Sequence, residues 1–223
     1  MERIVGTVTI GQSPRTDVVP EISAILGDVV LKESGALDGL SREEIADLAP
    51  KGDDYVLVTR LADGASVQVA ERHITPRVVE RIKEHFGAGV SLVLLLCTGE
   101  FAELEESGLL IRPQRLLFHT VSAVAEGRRL GILIPSPEQV PQAERRWSAL
   151  GGAVRAVPAS PYAGADEAVG RAAMELKRWG AELLILDCIG YTESMKALAR
   201  RIAGVPAISG RGIAAHAVRE LIG

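Results

Sequence analysis

The chain has 223 residues and 23.7 kDa, with 47% hydrophobic and 24% charged residues, a globular balance that excludes a disordered or fibrous chain. At roughly 100–200 residues per domain, this length makes one large domain or two small ones packed together. A net charge of −4 and a pI near 5.7 offer no basic field for phosphate backbones, and 2 Trp, 3 Tyr and 3 Phe leave little to stack on bases, so nucleic acid is not an expected partner.

Short aliphatic runs alternate with helix-period segments, the pattern of βαβ units and a parallel sheet. A strand at 3–10 leads to a helix at 16–26, a strand at 29–32 and a helix at 42–48. Strand 55–59 and residues 67–69 flank Ala62-Asp63-Gly64-Ala65 and predict a hairpin, read as an insertion near 53–72. Helix 76–86, strand 92–96 and helix 115–125 close the first half. The second half continues with strands 129–134, 154–157, 182–187 and 207–209, separated by helices 137–150, 165–179 and 193–203 and followed by helix 212–221. Ser41 with Glu44 and Ser136 with Gln139 read as capping boxes, and Thr75 precedes a proline at a first helical position.

No apolar run approaches the roughly 18 residues of a spanning helix, and the opening Met-Glu-Arg-Ile-Val-Gly has neither a basic n-region nor a small-residue cleavage site. A cytoplasmic protein with no membrane partner is expected. The 2 Cys and 4 His form no CxxC, HxxxH or Cys/His cluster, so no metal site is expected, and a reducing compartment disfavours a disulfide.

The chain repeats itself. Gly6-Thr7-Val8-Thr9-Ile10-Gly11-Gln12-Ser13-Pro14 answers Gly131-Ile132-Leu133-Ile134-Pro135-Ser136-Pro137, and Leu94-Leu95-Leu96-Cys97-Thr98-Gly99 answers Leu184-Ile185-Leu186-Asp187-Cys188-Ile189-Gly190. Each cysteine therefore ends a buried strand, where open α/β sheets bind ligands. Related by a pseudo-twofold axis, Cys97 and Cys188 would face each other across a cleft between the halves. Two thiols so placed suit proton exchange at a carbon beside a carboxylate, one acting as base and the other as acid. The amides of Thr98-Gly99 and Ile189-Gly190 could hold the carboxylate and the charge that develops, with no cofactor. The competing reading is inert packing, since free cysteine is among the most buried residue types.

In the 11–15 turn, Gly11, Gln12, Ser13 and Arg15 form a candidate anion site, with Ser13 as cap or ligand and Arg15 as a bidentate donor; the alternative is a Ser-Pro helix start with a solvated arginine. The turn matches no nucleotide fingerprint. Glu100 and Asp187 adjoin the cysteines and could adjust their proton affinity, or point to the opposite face. Tyr191 and Thr192 follow Cys188, with Thr192 also a natural helix N-cap. His73 and His85 read as solvated, and 209–212 as a second anion loop or a plain glycine turn.

Thr9-Ile10-Gly11-Gln12-Ser13-Pro14-Arg15, Leu96-Cys97-Thr98-Gly99-Glu100-Phe101 and Asp187-Cys188-Ile189-Gly190-Tyr191 resemble the AroM family, over essentially the whole chain. The resemblance implies kinship with the aspartate/glutamate racemase superfamily, with two similar α/β halves and a cysteine from each at the interface. Racemases, maleate isomerases and arylmalonate decarboxylases of that group work without cofactors, through one or both cysteines. Carried over by position, Cys97 and Cys188 would be the acid/base pair. Racemases follow the first cysteine with Asn-Thr or Asn-Ser and the second with Thr, whereas this chain has Thr98-Gly99 and Ile189-Gly190, so the side chains that would grip an amino acid differ. The family name reflects an association with aromatic amino-acid biosynthesis genes.

The sequence thus predicts an α/β protein of two pseudo-symmetric halves with parallel sheets, 1–126 and 127–223, whose last helix can return to the first half. Expected function is a cofactor-independent racemase, isomerase or decarboxylase acting α to a carboxylate. The alternatives are a non-catalytic sensor of a small carboxylate linked to aromatic amino-acid metabolism, and a redox-responsive cysteine pair. A homodimer is compatible with either of the first two.

Overall fold

The computed structural model describes residues 3–101, 104, 108–162 and 164–223. The chain opens on β1 (Ile4–Thr9), α1 (Val19–Leu26), β2 (Val30–Gly35) and α2 (Arg42–Asp47). Then come β3 (Val56–Arg60), β4 (Ser66–Ala70), α3 (Glu71–Gly87), β5 (Leu92–Leu96) and β6 (Leu109–Ile111). Four of these strands form a parallel sheet in the order β2-β1-β5-β6. The chain continues with α4 (Pro113–Ala125), β7 (Leu130–Ile134), a 3-10 turn at Pro137–Gln139, α5 (Val140–Ser148), β8 (Val154–Pro158) and α6 (Ala165–Trp179). It ends with β9 (Leu183–Leu186), α7 (Glu193–Ala203), β10 (Ala207–Ser209) and α8 (Gly210–Ile222). The second sheet is also parallel, in the order β10-β9-β7-β8. Reading β7, β8, β9 and β10 for β1, β2, β5 and β6 reproduces the first order, so the sequence repeat is a repeat of topology.

The chain folds as two compact units, Met1–Pro113 with Ala214–Gly223, and Gln114–Ile213. The division falls ahead of the body of α4, and α8 is shared between the units.

β5 and β9 are buried along their whole length, as expected of Leu-Val-Leu-Leu-Leu and Leu-Leu-Ile-Leu covered on both faces. Side chains alternate between those faces. Val93, Leu95 and Cys97 join one cluster with Leu57, Ile74, Val78 and Ile82. In β9, Leu184, Leu186 and Cys188 join Val169, Leu176 and Ala199, while Leu183 and Ile185 join Leu117, Val121 and Trp147. Each cysteine thus continues an apolar face, and Asp187 falls on the face opposite Cys188. Each fully buried Leu or Ile here contributes about 1.5–3 kcal/mol.

The predicted hairpin is present, with β3 antiparallel to β4 from Val56↔Ala70 to Arg60↔Ser66. Gly64 takes φ 89° in its turn, a conformation that favours glycine, and Leu61 N donates to the Ala65 carbonyl at 2.8 Å. The Ser41 box also forms: its hydroxyl accepts from Glu44 N at 3.2 Å and its own amide donates to Glu44 Oε2 at 2.8 Å.

Three local readings change. Helix α3 starts at Glu71 and contains Pro76. The amides of Ala70 and Glu71 bond the Leu48 and Tyr55 carbonyls, and Ile74 is fully buried, so tertiary anchoring outweighs the bond lost at the proline. Ser136 makes no cap bond; its hydroxyl donates to Glu138 Oε2 at 2.6 Å, and a 3-10 turn opens the helix instead. The short β6 had no pattern of its own to announce it. Among the described residues, no helix is long and apolar enough to cross a membrane.

Candidate active site

In each sheet the chain leaves its first strand, β1 or β7, toward one side and its third, β5 or β9, toward the other. The crevice beyond the carboxyl ends of that adjacent pair is where such sheets bind ligands. Cys97 follows β5 directly and Cys188 stands two residues past β9, each within a Cys-x-Gly turn. The turns are built alike. Gly99 N donates to Cys97 Sγ at 3.2 Å, and Gly190 N donates to Cys188 Sγ at 3.3 Å. Both cysteines are buried, and neither is joined in a disulfide among the described residues. An amide directed at sulfur favours the thiolate, the form that takes up a proton.

Around Cys97, the wall is the inserted hairpin. A Cβ on Gly99 would stand 2.4 Å from Leu57 Cδ2, and one on Gly11 would stand 2.4 Å from both Thr59 Oγ1 and the Arg60 carbonyl. Glu100 N donates to the Tyr55 hydroxyl at 3.4 Å. Tyr55, Leu57 and Thr59 alternate along the strand, so one face of the hairpin covers both the 11–15 and the 97–100 loops. Thr98 is buried and the Glu100 side chain is exposed, away from the thiol's buried surroundings.

The 11–15 loop is occupied by its own unit. Asp38 accepts from Ser13 N at 2.8 Å, Ser13 Oγ at 2.6 Å and Gly35 N at 2.7 Å. Gln12 donates to the Leu37 carbonyl at 3.4 Å and accepts from Ala62 N at 2.9 Å. Arg15, only 2% exposed, sends Nε and Nη2 to Asp17 at 2.8 and 2.9 Å and Nη1 to Thr9 Oγ1 at 2.8 Å. Burial pushes the Asp17 carboxyl up, but the bonds and charge of Arg15, with a backbone hydrogen bond and the charge of Arg60, outweigh it and hold Asp17 below the usual carboxylate range. The fork expected to grip a ligand is therefore engaged as a brace.

Around Cys188, the Tyr162 hydroxyl lies 3.8 Å from the sulfur, within hydrogen-bond reach of that larger atom. Ile189 and Gly190 are buried, and both their carbonyls accept from buried Arg211, at 2.9 Å each. The 209–212 segment is thus a brace under the Cys-x-Gly turn, with Gly212 N also bonded to Ser209 Oγ at 3.2 Å. Tyr191 is fully buried and donates to the Ala159 carbonyl at 2.6 Å. Burial pushes its phenol well above the ordinary range, with Cys188, Asp187 and Tyr162 adding to the effect, so it stays protonated. Thr192 caps α7, accepting from Met195 N at 3.2 Å and meeting Ser194 Oγ at 2.8 Å. Asp187 turns from the thiol to α5, where it bonds Arg146 and accepts from Trp147 Nε1 at 2.8 Å.

Sequence reasoning overlooked Tyr162, Asp38, Arg146, Trp147 and the hairpin face, because their roles rest on long-range contacts. His85, read as solvated, is buried, with Nε2 2.9 Å from Ser34 Oγ. Among the described residues, no three His, Cys, Asp or Glu side chains converge as a metal would require.

A family model described as AroM protein matches residues 5–222. The chain belongs to the AroM family. A comparison of this AroM protein with curated proteins returned no match. Among solved structures it is similar to glutamate racemase from Francisella tularensis subsp. tularensis SCHU S4 in complex with D-glutamate, at 15% identity and TM-score 0.63, covering 99% of this chain and 81% of that one. Unliganded arylmalonate decarboxylase is similar at 15% identity and TM-score 0.61, over 99% and 93% of the two chains. Picrophilus torridus aspartate racemase gives 10% identity and TM-score 0.58, over 98% and 94%. The AroM protein therefore has the racemase-like fold of two α/β halves; identities this low speak to fold alone.

Proposed function

We propose that this AroM protein is a cofactor-independent enzyme that moves a proton at the carbon α to a carboxylate, as a racemase, isomerase or decarboxylase, with Cys97 and Cys188 as its acid/base pair. The observation that carries this reading is the matched pair of Cys-x-Gly turns at equivalent strand ends, each sulfur receiving a glycine amide. Neither turn needs a thiol for packing alone: a small apolar residue would fill the same face.

On this reading, in a racemase or isomerase one thiolate removes the α-proton while the other, protonated thiol delivers one from the opposite face; in a decarboxylase CO2 leaves, the C–C electron pair stays on the α-carbon as the enolate, and a thiol protonates it. Backbone amides at the two strand ends stabilise the enolate that forms. The fold's presence among racemases that handle D-glutamate and aspartate, and among decarboxylases of arylmalonates, supports a small carboxylate as the substrate class. Because Arg15 and Arg211 are engaged internally, substrate recognition falls to backbone amides and to the walls, Leu57 and Tyr162, that cover the two glycines. Two thiols outside any disulfide suit a reducing cytoplasm, where the protein acts as a monomer or homodimer.

The test is α-proton exchange in D2O over a panel of amino acids, hydroxy acids and arylmalonates. C97S and C188S should each lower exchange by at least about 100-fold on the accepted substrate. Undiminished exchange in both variants would sink the assignment; carboxylate binding that survives both, without turnover, would favour the sensor reading.

A further inference from the structure

The two Cys-x-Gly turns share a backbone plan but differ in what lies against the glycine. At Gly99 the neighbour is an aliphatic carbon, Leu57 Cδ2; at Gly190 it is a phenol, with Tyr162 Oη 2.8 Å and Cε1 3.0 Å from the position a Cβ would take. Only a glycine at 190 lets that ring lie so close to the turn. The same hydroxyl is 3.8 Å from Cys188 Sγ. Tyr162 comes from the loop after β8, a different element from the cysteine, so the meeting is a tertiary one.

We propose that Tyr162 is the positioning residue that sets the ionisation of Cys188, its hydroxyl donating to the sulfur when the thiol has lost its proton. This rests on, and deepens, the acid/base reading of Cys188. Several other groups around the turn have bonds of their own. Tyr191 gives its proton to the Ala159 carbonyl, and Asp187 is engaged by Arg146 and Trp147 on the opposite face. Arg211 holds the turn's carbonyls, and Glu193 and Lys196 pair with each other at 2.7 Å in the first turn of α7. Tyr162 makes its contact at the sulfur itself. A donor to the thiolate stabilises the charged form and holds the thiol pKa down; the neutral thiol gains much less from the same bond. Tyr162 need not touch substrate for this.

The experiment follows both thiols by NMR of protein isotope-labelled at cysteine Cβ, whose shift reports ionisation, from neutral to alkaline pH. C97S assigns the resonances. In Y162F the Cys188 midpoint should rise by about one pH unit while that of Cys97 stays in place. G190A, which keeps the phenol but occupies its position over the turn, should raise the Cys188 midpoint in the same direction, and it decides the matter should Y162F fail to fold. A folded Y162F with an unmoved Cys188 midpoint, or with both midpoints moving alike, would overturn the proposal. Because the readout is thiol ionisation, an absence of turnover on every carboxylate would remove the proposed enzyme activity and leave this result standing.

Discussion

Replacing Asp187 by asparagine removes a negative charge at a place where water cannot compensate for it. The Arg146 and Asp187 side chains are 5% and 1% exposed, and Oδ2 of the aspartate serves both the guanidinium and Trp147 Nε1. Removing one partner of a buried ion pair costs about 3–5 kcal/mol, because the remaining charge keeps its desolvation penalty. The amide oxygen of the variant can still accept from Trp147, which puts D187N at the low end, about 3 kcal/mol. At about 2–4 °C per kcal/mol for a chain of this size, the melting midpoint should fall by roughly 6–12 °C. The paired variant R146M/D187L, which replaces both charges with apolar groups, should recover most of that loss. Thermal and urea unfolding of wild type, D187N and the double variant measure it. A D187N midpoint within about 2 °C of wild type, with the Cys188 titration clearly displaced, would refute the structural role and return Asp187 to the thiol chemistry.

The buried imidazole of His85 should make stability pH-dependent. Burial is the larger influence and pulls its pKa below 6.5, against the weaker opposing bond to the Thr7 backbone. The unfolded chain then binds the proton more readily than the folded one, so stability is intact above 6.5 and falls as pH drops through it. Melting midpoints from pH 7.5 to 5.5, by about equal steps, should decline in wild type and decline less in H85Q; parallel curves would contradict this. G11A drives a Cβ to 2.4 Å from Thr59 Oγ1 and the Arg60 carbonyl, so it should cost about 1–3 kcal/mol and speed tryptic cleavage at Arg60. Wild-type cleavage kinetics would show that the hairpin is not clamped to the 11–15 loop. Y191F strands the Ala159 carbonyl in the core and should cost about 1–3 kcal/mol in urea unfolding, with little effect if water replaces the phenol.

Apart from the short β6, the order of elements, the two parallel sheets and the cysteines' places at equivalent strand ends were legible in the sequence because they depend on local or periodic signals. Buried strands declare themselves as aliphatic runs, and a period of two places Cys97 on the face of Val93 and Leu95 without reference to any other element. The same period puts Asp187 on the face opposite Cys188, one of the two alternatives the sequence left open. Only the fold could say what waits there, because Trp147 and Arg146 lie some forty positions earlier in the chain. Arg15 and Arg211 show why charge in a loop is ambiguous by itself. An arginine after a strand reads as an anion ligand until Asp17 or the Ile189 and Gly190 carbonyls are found in its fork. The sequence determined where the two thiols stand along their strands. The tertiary structure decided what stands against them, Leu57 over one glycine and Tyr162 over the other, because such contacts come from residues that no spacing connects to the cysteines.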